Sequence, residues 1–113
     1  MRLVKPEQLE WSGSDGCTRA ELHNEGGMRL EMLEVPPNTN LASHHHKKRR
    51  EFLCVTLAGG AQIRIGDRVF RPTAGQVFER EPGEVLEIVN DTKHVFRLLI
   101  TQLGYDPNDV TVG

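Results

Sequence analysis

The sequence predicts an all-β fold, a sandwich or barrel of short antiparallel strands. Two observations carry this prediction. Apolar residues recur in short stretches with alternating character, and no window sustains the 3.6-residue period of an amphipathic helix. Eleven glycines and six prolines punctuate those stretches instead of clustering as a disordered tract.

The elements follow in order. "CTRAELHN" (17–24) and "MRLEMLEV" (28–35) flank "NEGG", a hairpin turn in which Asn24 and the glycines accept positive φ. Met28, Leu30 and Met32 are expected to form the inward face of the second of these strands. "EFLCVTLAG" (51–59) and "AQIRIGD" (61–67) are broken by Gly59-Gly60, and Gly66-Asp67 turns "QIRI" into "RVFRP". Gln62 and Arg64 alternate with Ile63 and Ile65, so one pair faces out; if the polar pair faces the cavity, it contacts substrate. "QVFERE" (76–81) stops at Pro82-Gly83, and "VLEIVN" (85–90) connects through "DTK" to "HVFRLLITQL" (94–103). One domain over 1–113 is expected, with its barrel core at about 28–103 and peripheral segments at both ends. Cys54 reads as a small buried hydrophobe, and Trp11 as a residue packing across a subunit interface.

Composition excludes several classes. The net charge is −2 and aromatic residues are 5% of the chain, which argues against a nucleic-acid platform. No apolar run reaches membrane-spanning length, and the start "MRLVKPEQLEWSG" lacks a signal-peptide core. Two isolated cysteines suit a reducing compartment, so a cytoplasmic location is expected, with no membrane and no nucleic-acid partner.

The chemistry concentrates in "SHHHKKRRE" (43–51). On an extended segment His44 and His46 share a face with Cα atoms about 6.6 Å apart, while His45 faces the other way. Such imidazoles can converge on one ion at about 2.1 Å; on a helix the same pair diverges by about 200°. A turn through "KKRR" returns the Glu51 carboxylate to that ion. Two histidines and a carboxylate with open positions suit Fe, Mn, Ni or Zn. The alternative is a solvated basic turn with no ligand role, and the lysine–arginine run itself reads as an exposed turn.

These residues resemble the first motif of the cupin superfamily, in which HxH precedes a glutamate and then a glycine. Here His44, His46 and Glu51 match. Asn38 stands for the opening glycine, and Gly59 arrives one place late behind Ala58. "GQVFEREPGEVLEIVN" is similar to the second motif, with Gly75, Gly83 and Asn90 in register, Pro82 shifted by one, and Leu86 at the position of the last metal-binding histidine. The resemblance implies a double-stranded β-helix (jelly-roll barrel), a divalent metal on His44, His46 and Glu51, and a homodimer. Three alternatives stay open for the position that Leu86 leaves: Glu87, which strand alternation aims away from Leu86, His94 from the next strand, or water, with His44, His46 and Glu51 alone holding the metal. It also implies a small-molecule partner inside the barrel, with oxygenase, isomerase, lyase or cyclase chemistry if the protein is catalytic. The competing reading is a metal-free cupin, either a non-catalytic binding module or an enzyme like the sugar-nucleotide epimerases and ketoisomerases. In such an enzyme His44 or His46 would act as general base and Arg49, Arg50 or Arg64 would clamp phosphate oxygens.

Overall fold

A computed structural model describes residues 1–45, 49–104 and 111–112, with only the backbone described at Ser14, Ser43–His45 and Thr111–Val112. After a 3-10 turn at Pro6–Gln8, the described residues form β1 (Ser12–Ser14), β2 (Cys17–Glu25), β3 (Met28–Val35), β4 (Thr39–His45), β5 (Arg50–Leu57) and β6 (Gln62–Ile65). β7 (Arg68–Phe70), β8 (Val77–Arg80), β9 (Leu86–Asn90), β10 (Phe96–Leu103) and β11 (Thr111–Val112) follow. One antiparallel sheet runs β1-β2-β3-β10-β5-β8 and the other β11-β4-β9-β6-β7. No described helix is long and apolar enough to cross a membrane.

The turn chemistry accounts for the first hairpin. Glu25 pairs with Met28, and Gly26 and Gly27 between them have φ of 62° and 77°. Two consecutive positive φ angles are the requirement of the tight turn that matches strand twist, and glycine meets it without steric cost. Asn38, which stands for the opening glycine of the motif, has φ of 54°, a left-handed conformation that its short amide side chain tolerates.

The sheets enclose an apolar core in which Leu33, Leu53, Ile63, Leu86, Ile88 and Leu98 are fully buried. Two expectations change, one about strand faces and one about the ends of the chain. Met28, Leu30 and Met32 do not face inward: the inward series of β3 is Glu31, Leu33 and Val35, and Met28 is exposed. β3 is apolar on both faces, so its pattern alone does not choose, and the outer face has its own apolar row. Ala20, Met32, Leu99, Cys54 and Val77 lie in register across β2, β3, β10, β5 and β8. Cys54 is therefore half-buried on the outside, and Cys17 is the buried thiol. The second change concerns the ends. β2 and β1 extend the sheet beyond the expected barrel core, and β11, in a tail expected to be peripheral, pairs with β4 at His44 and His45. Trp11 is half-buried and donates its Nε1–H to Pro6 O at 2.9 Å within its own segment.

One end of the barrel is closed by Asn90, which is fully buried. Its Nδ2 lies 3.0 Å from Val35 O, 3.0 Å from Pro36 O and 2.7 Å from His94 O, while its Oδ1 accepts from the Thr92 hydroxyl at 2.6 Å. This amide ties the end of β3 to the β9–β10 turn. The Thr92 hydroxyl also lies 3.2 Å from His94 O, so the turn is held by both side chains.

Candidate functional site: the polar end of the barrel

The opposite end is polar. Each inward-facing series begins there with a charged or amide residue and continues with aliphatic ones: Arg29 and Glu31 before Leu33 on β3, Glu51 before Leu53 on β5. Gln102 follows Leu98 and Ile100 on β10 in the same way. Strand pairing brings these positions level. Arg29, Gln102, Glu51 and Arg80 stand side by side across β3, β10, β5 and β8. One row deeper, Glu31, Ile100, Leu53 and Phe78 lie in line.

The side chains of the first row form a connected network. Arg80 Nη1 donates to Glu51 Oε1 at 2.6 Å, and Gln102 Nε2 donates to Glu51 Oε2 at 2.5 Å. Gln102 Oε1 in turn accepts longer contacts from Arg49 Nη1 at 3.4 Å and Arg29 Nη1 at 3.5 Å. Arg80 also donates its Nε–H to Glu84 O at 2.7 Å, which fastens the edge strand β8 to the loop entering β9. Arg80 and Glu51 are 2% and 3% exposed, so their attraction acts in a low-dielectric setting where solvent screens little. Burial pulls the Arg80 guanidinium below its ordinary range, and the Glu51 charge and hydrogen bond oppose that pull. Burial raises the Glu31 carboxyl; Arg29 and Arg19 lower it, Glu51 adds to the rise, and Arg49 opposes it.

This geometry places the candidates read from the sequence. Glu51 is inside the barrel, but both its oxygens are engaged, one by a guanidinium and one by an amide. Leu86 is 1% exposed and packs in the core. Glu87, next to it, is half-buried on the other face of β9, with Arg64 Nη1 4.0 Å away. His94 is exposed in the β9–β10 turn, at the Asn90 end rather than the Glu51 end. Backbone register sets His44 opposite Leu86; its side chain, and all of His46, lie outside the described residues. Among the described residues, no three His, Cys, Asp or Glu side chains group to hold a metal, and a cation reaching Glu51 would have to share it with Arg80. The described residues therefore do not by themselves fit a metal.

Gln62 and Arg64 are corrected as cavity residues. Ile63 and Ile65 are the buried pair of β6, so alternation sends Gln62 and Arg64 outward. Arg49 is corrected as part of an exposed turn. Inward alternation on β5 begins one residue before the strand, and Arg49 is 8% exposed beside Gln102. Arg50 faces out and pairs with Glu79, with Glu81 Oε1 at 3.7 Å. Sequence reasoning assigned no role to Arg80, Gln102, Glu31 or Arg29. The only signal in the sequence was a polar residue at the end of an alternating aliphatic series, as at Glu31, Glu51 and Gln102; that these lie level on neighbouring strands is set by register.

No family model and no curated relative matches the chain. Solved structures do. A Klebsiella pneumoniae protein with a double-stranded β-helix domain superposes with a TM-score of 0.83 at 17% identity, over 100% of this chain and 97% of that one. The predicted oxalate decarboxylase of Thermotoga maritima gives 0.81 at 16% identity, covering 92% of this chain and 100% of that one. The cupin domain of Schizosaccharomyces pombe Cnp3 gives 0.78 at 20% identity, over 89% and 72% of the two chains. Two antiparallel sheets closed around one interior, matched over nearly the whole length by these proteins, make this chain a cupin-fold protein, a double-stranded β-helix.

Proposed function

We propose that the protein binds a small polar molecule at the polar end of its barrel, and that Arg80 rather than a bound metal supplies the positive charge facing Glu51. The observation that carries this reading is the row of buried Gln102, Glu51 and Arg80, flanked by half-buried Arg29, at one end of a largely apolar interior. Burying charged groups costs several kcal/mol per ion even when they are paired, and a barrel needing only stability would be better served by packed aliphatic residues. Polar groups converging in an apolar concavity are what fixes the orientation of a small ligand. An oxygen-bearing ligand, carboxylate or sugar, suits guanidinium and amide donors. The Thermotoga maritima neighbour is named for a small dicarboxylate of that class.

The side-chain amides supply the test. In ¹⁵N spectra, Gln102 reports the polar end, and Asn90 reports the closed end as an internal control. Titration with oxalate, lactate, propionate and glucose should move the Gln102 amide pair with at least one compound and leave Asn90 in place. Four compounds that leave Gln102 unmoved, or move both amides equally, would sink the reading.

A second reading keeps a divalent metal on His44, His46 and Glu51. It is favoured by one observation: β4 places His44 opposite Leu86, the position from which the cupin motif supplies its last histidine. Elemental analysis of untagged protein, beside a His44→Ala/His46→Ala variant, decides it. Stoichiometric metal present only in the parent supports the metal centre, and equal trace metal in both supports the Arg80 reading.

A further inference from the structure

We propose that Glu31 Oε2 is a ligand contact, and that the ligand it takes carries a hydroxyl group: a hydroxy acid, polyol or sugar, not a plain carboxylate. This rests on the polar end being the ligand site, and it names the chemical class that site selects. Glu31 is 3% exposed, one row deeper than the Arg29–Arg80 row, with Ile100 and Leu53 beside it. Its Oε2 is buried and accepts no hydrogen bond. Arg29 Nη1 is only 2.8 Å away, so the two form an ion pair, but not one with hydrogen-bonding geometry. Arg29 directs its Nε–H to Glu21 Oε1 at 2.9 Å and its Nη1 also toward Gln102. Interior carboxylate oxygens are normally hydrogen-bonded, so this one, ion-paired with Arg29 but accepting no hydrogen bond, keeps acceptor capacity for a ligand.

The surrounding charges select the donor. Glu31 faces Arg29 on its own strand, Arg19 and Glu21 on β2, Glu51 on β5 and Arg49 just before it. A second carboxylate placed against Glu31 would meet like charge. An ammonium group would meet the guanidinium groups of Arg29, Arg49 and Arg80 at the same end. A hydroxyl meets neither obstacle: its O–H donates to Glu31 Oε2, and its oxygen accepts from a neighbouring guanidinium N–H.

Matched pairs test this. Lactate and propionate share a skeleton and differ by one hydroxyl. A site that hydrogen-bonds a hydroxyl discriminates strongly against the analogue lacking it, so lactate is expected to bind wild-type protein at least roughly tenfold more tightly. In Glu31→Met, which keeps the side-chain length, the two affinities should become equal. The ligand-free variant should also melt higher by roughly 3 °C or more, because a group kept for binding and not for packing destabilises the empty barrel. A lower melting temperature in Glu31→Met would identify a structural ion pair and overturn the inference. Equal binding of lactate and propionate to wild type, or a preference that survives in Glu31→Met, would overturn it while leaving the barrel a ligand site. Binding of neither compound, nor of glycerol, glucose or oxalate, would overturn both; binding of oxalate alone would overturn this inference and leave the barrel a ligand site.

Discussion

Arg80→Met separates a barrel held by its own guanidinium from one held by a metal. Arg80 and Glu51 meet at 2.6 Å with 2% and 3% exposure, so the discount that applies to surface ion pairs does not apply here. Removing one member of such a pair leaves the other charge buried and uncompensated, which costs about 3–5 kcal/mol. The lost Nε–H donation to Glu84 O falls within that figure. Against a total stability of roughly 5–15 kcal/mol for a chain of this size, the loss is a large fraction. It corresponds to a fall in melting temperature on the order of 12–20 °C, at roughly 4 °C per kcal/mol. Urea denaturation with an unchanged m-value measures it. Glu51→Met should cost a similar amount, and Arg80→Met/Glu51→Met should cost less than the sum by at least about 2 kcal/mol, because the double variant leaves neither Arg80 nor Glu51 facing a missing partner. Adding EDTA to the parent should leave its stability unchanged. Additive single substitutions, or a chelator-induced loss equal to that of Arg80→Met, would refute the reasoning.

Three further outcomes follow from the same geometry. Burial raises the Glu31 carboxyl, so its contribution is fully present below about pH 4.5, the ordinary value in the unfolded chain, and is lost as pH rises through the raised folded value. The stability of wild type minus that of Glu31→Gln should therefore fall as pH rises across that window; a flat or rising difference refutes it. Asn90→Asp should destabilise by roughly 3 kcal/mol or more despite its near-identical shape, since it sets oxygen against the carbonyls of Val35, Pro36 and His94; chemical denaturation showing a loss under 1 kcal/mol would contradict this, on the scale of one ordinary hydrogen bond at about 1 kcal/mol. Gly59→Ala should cost roughly 2 kcal/mol, because Gly59 has φ of 63° and an added Cβ would stand 2.8 Å from His94 Cβ; thermal unfolding checks it, and a neutral result would mean the turn relaxes freely.

Gly59 shows why local motifs were legible. The cupin glycine arrives one residue late because the left-handed backbone and the contact with His94 fall at 59 and not at Ala58, and such a requirement is written in the identity of one residue. Asn38 is a similar case, a left-handed position filled by the side chain that tolerates it best after glycine. The hairpin at Gly26-Gly27 and the strands from β5 to β10 were legible for the same reason: turn residues and alternation act over a few neighbours.

The faces of β3 and β6 were not legible in that way. Leu30 and Met32 compete with Leu33 and Val35, and only the partner strands decide which set is enclosed. Gln62 and Arg64 could have faced either way until Ile63 and Ile65 met the second sheet. Glu51 was found from its distance to the histidines, but its partners Arg80 and Gln102 lie 29 and 51 residues further along the chain. The sequence by itself determined the strands, the turns and which residues could carry charge. The tertiary structure alone decided that Arg29, Glu31, Glu51, Arg80 and Gln102 share one end of the barrel, because register between distant strands is set by enclosing the apolar faces together, and no local pattern contains that choice.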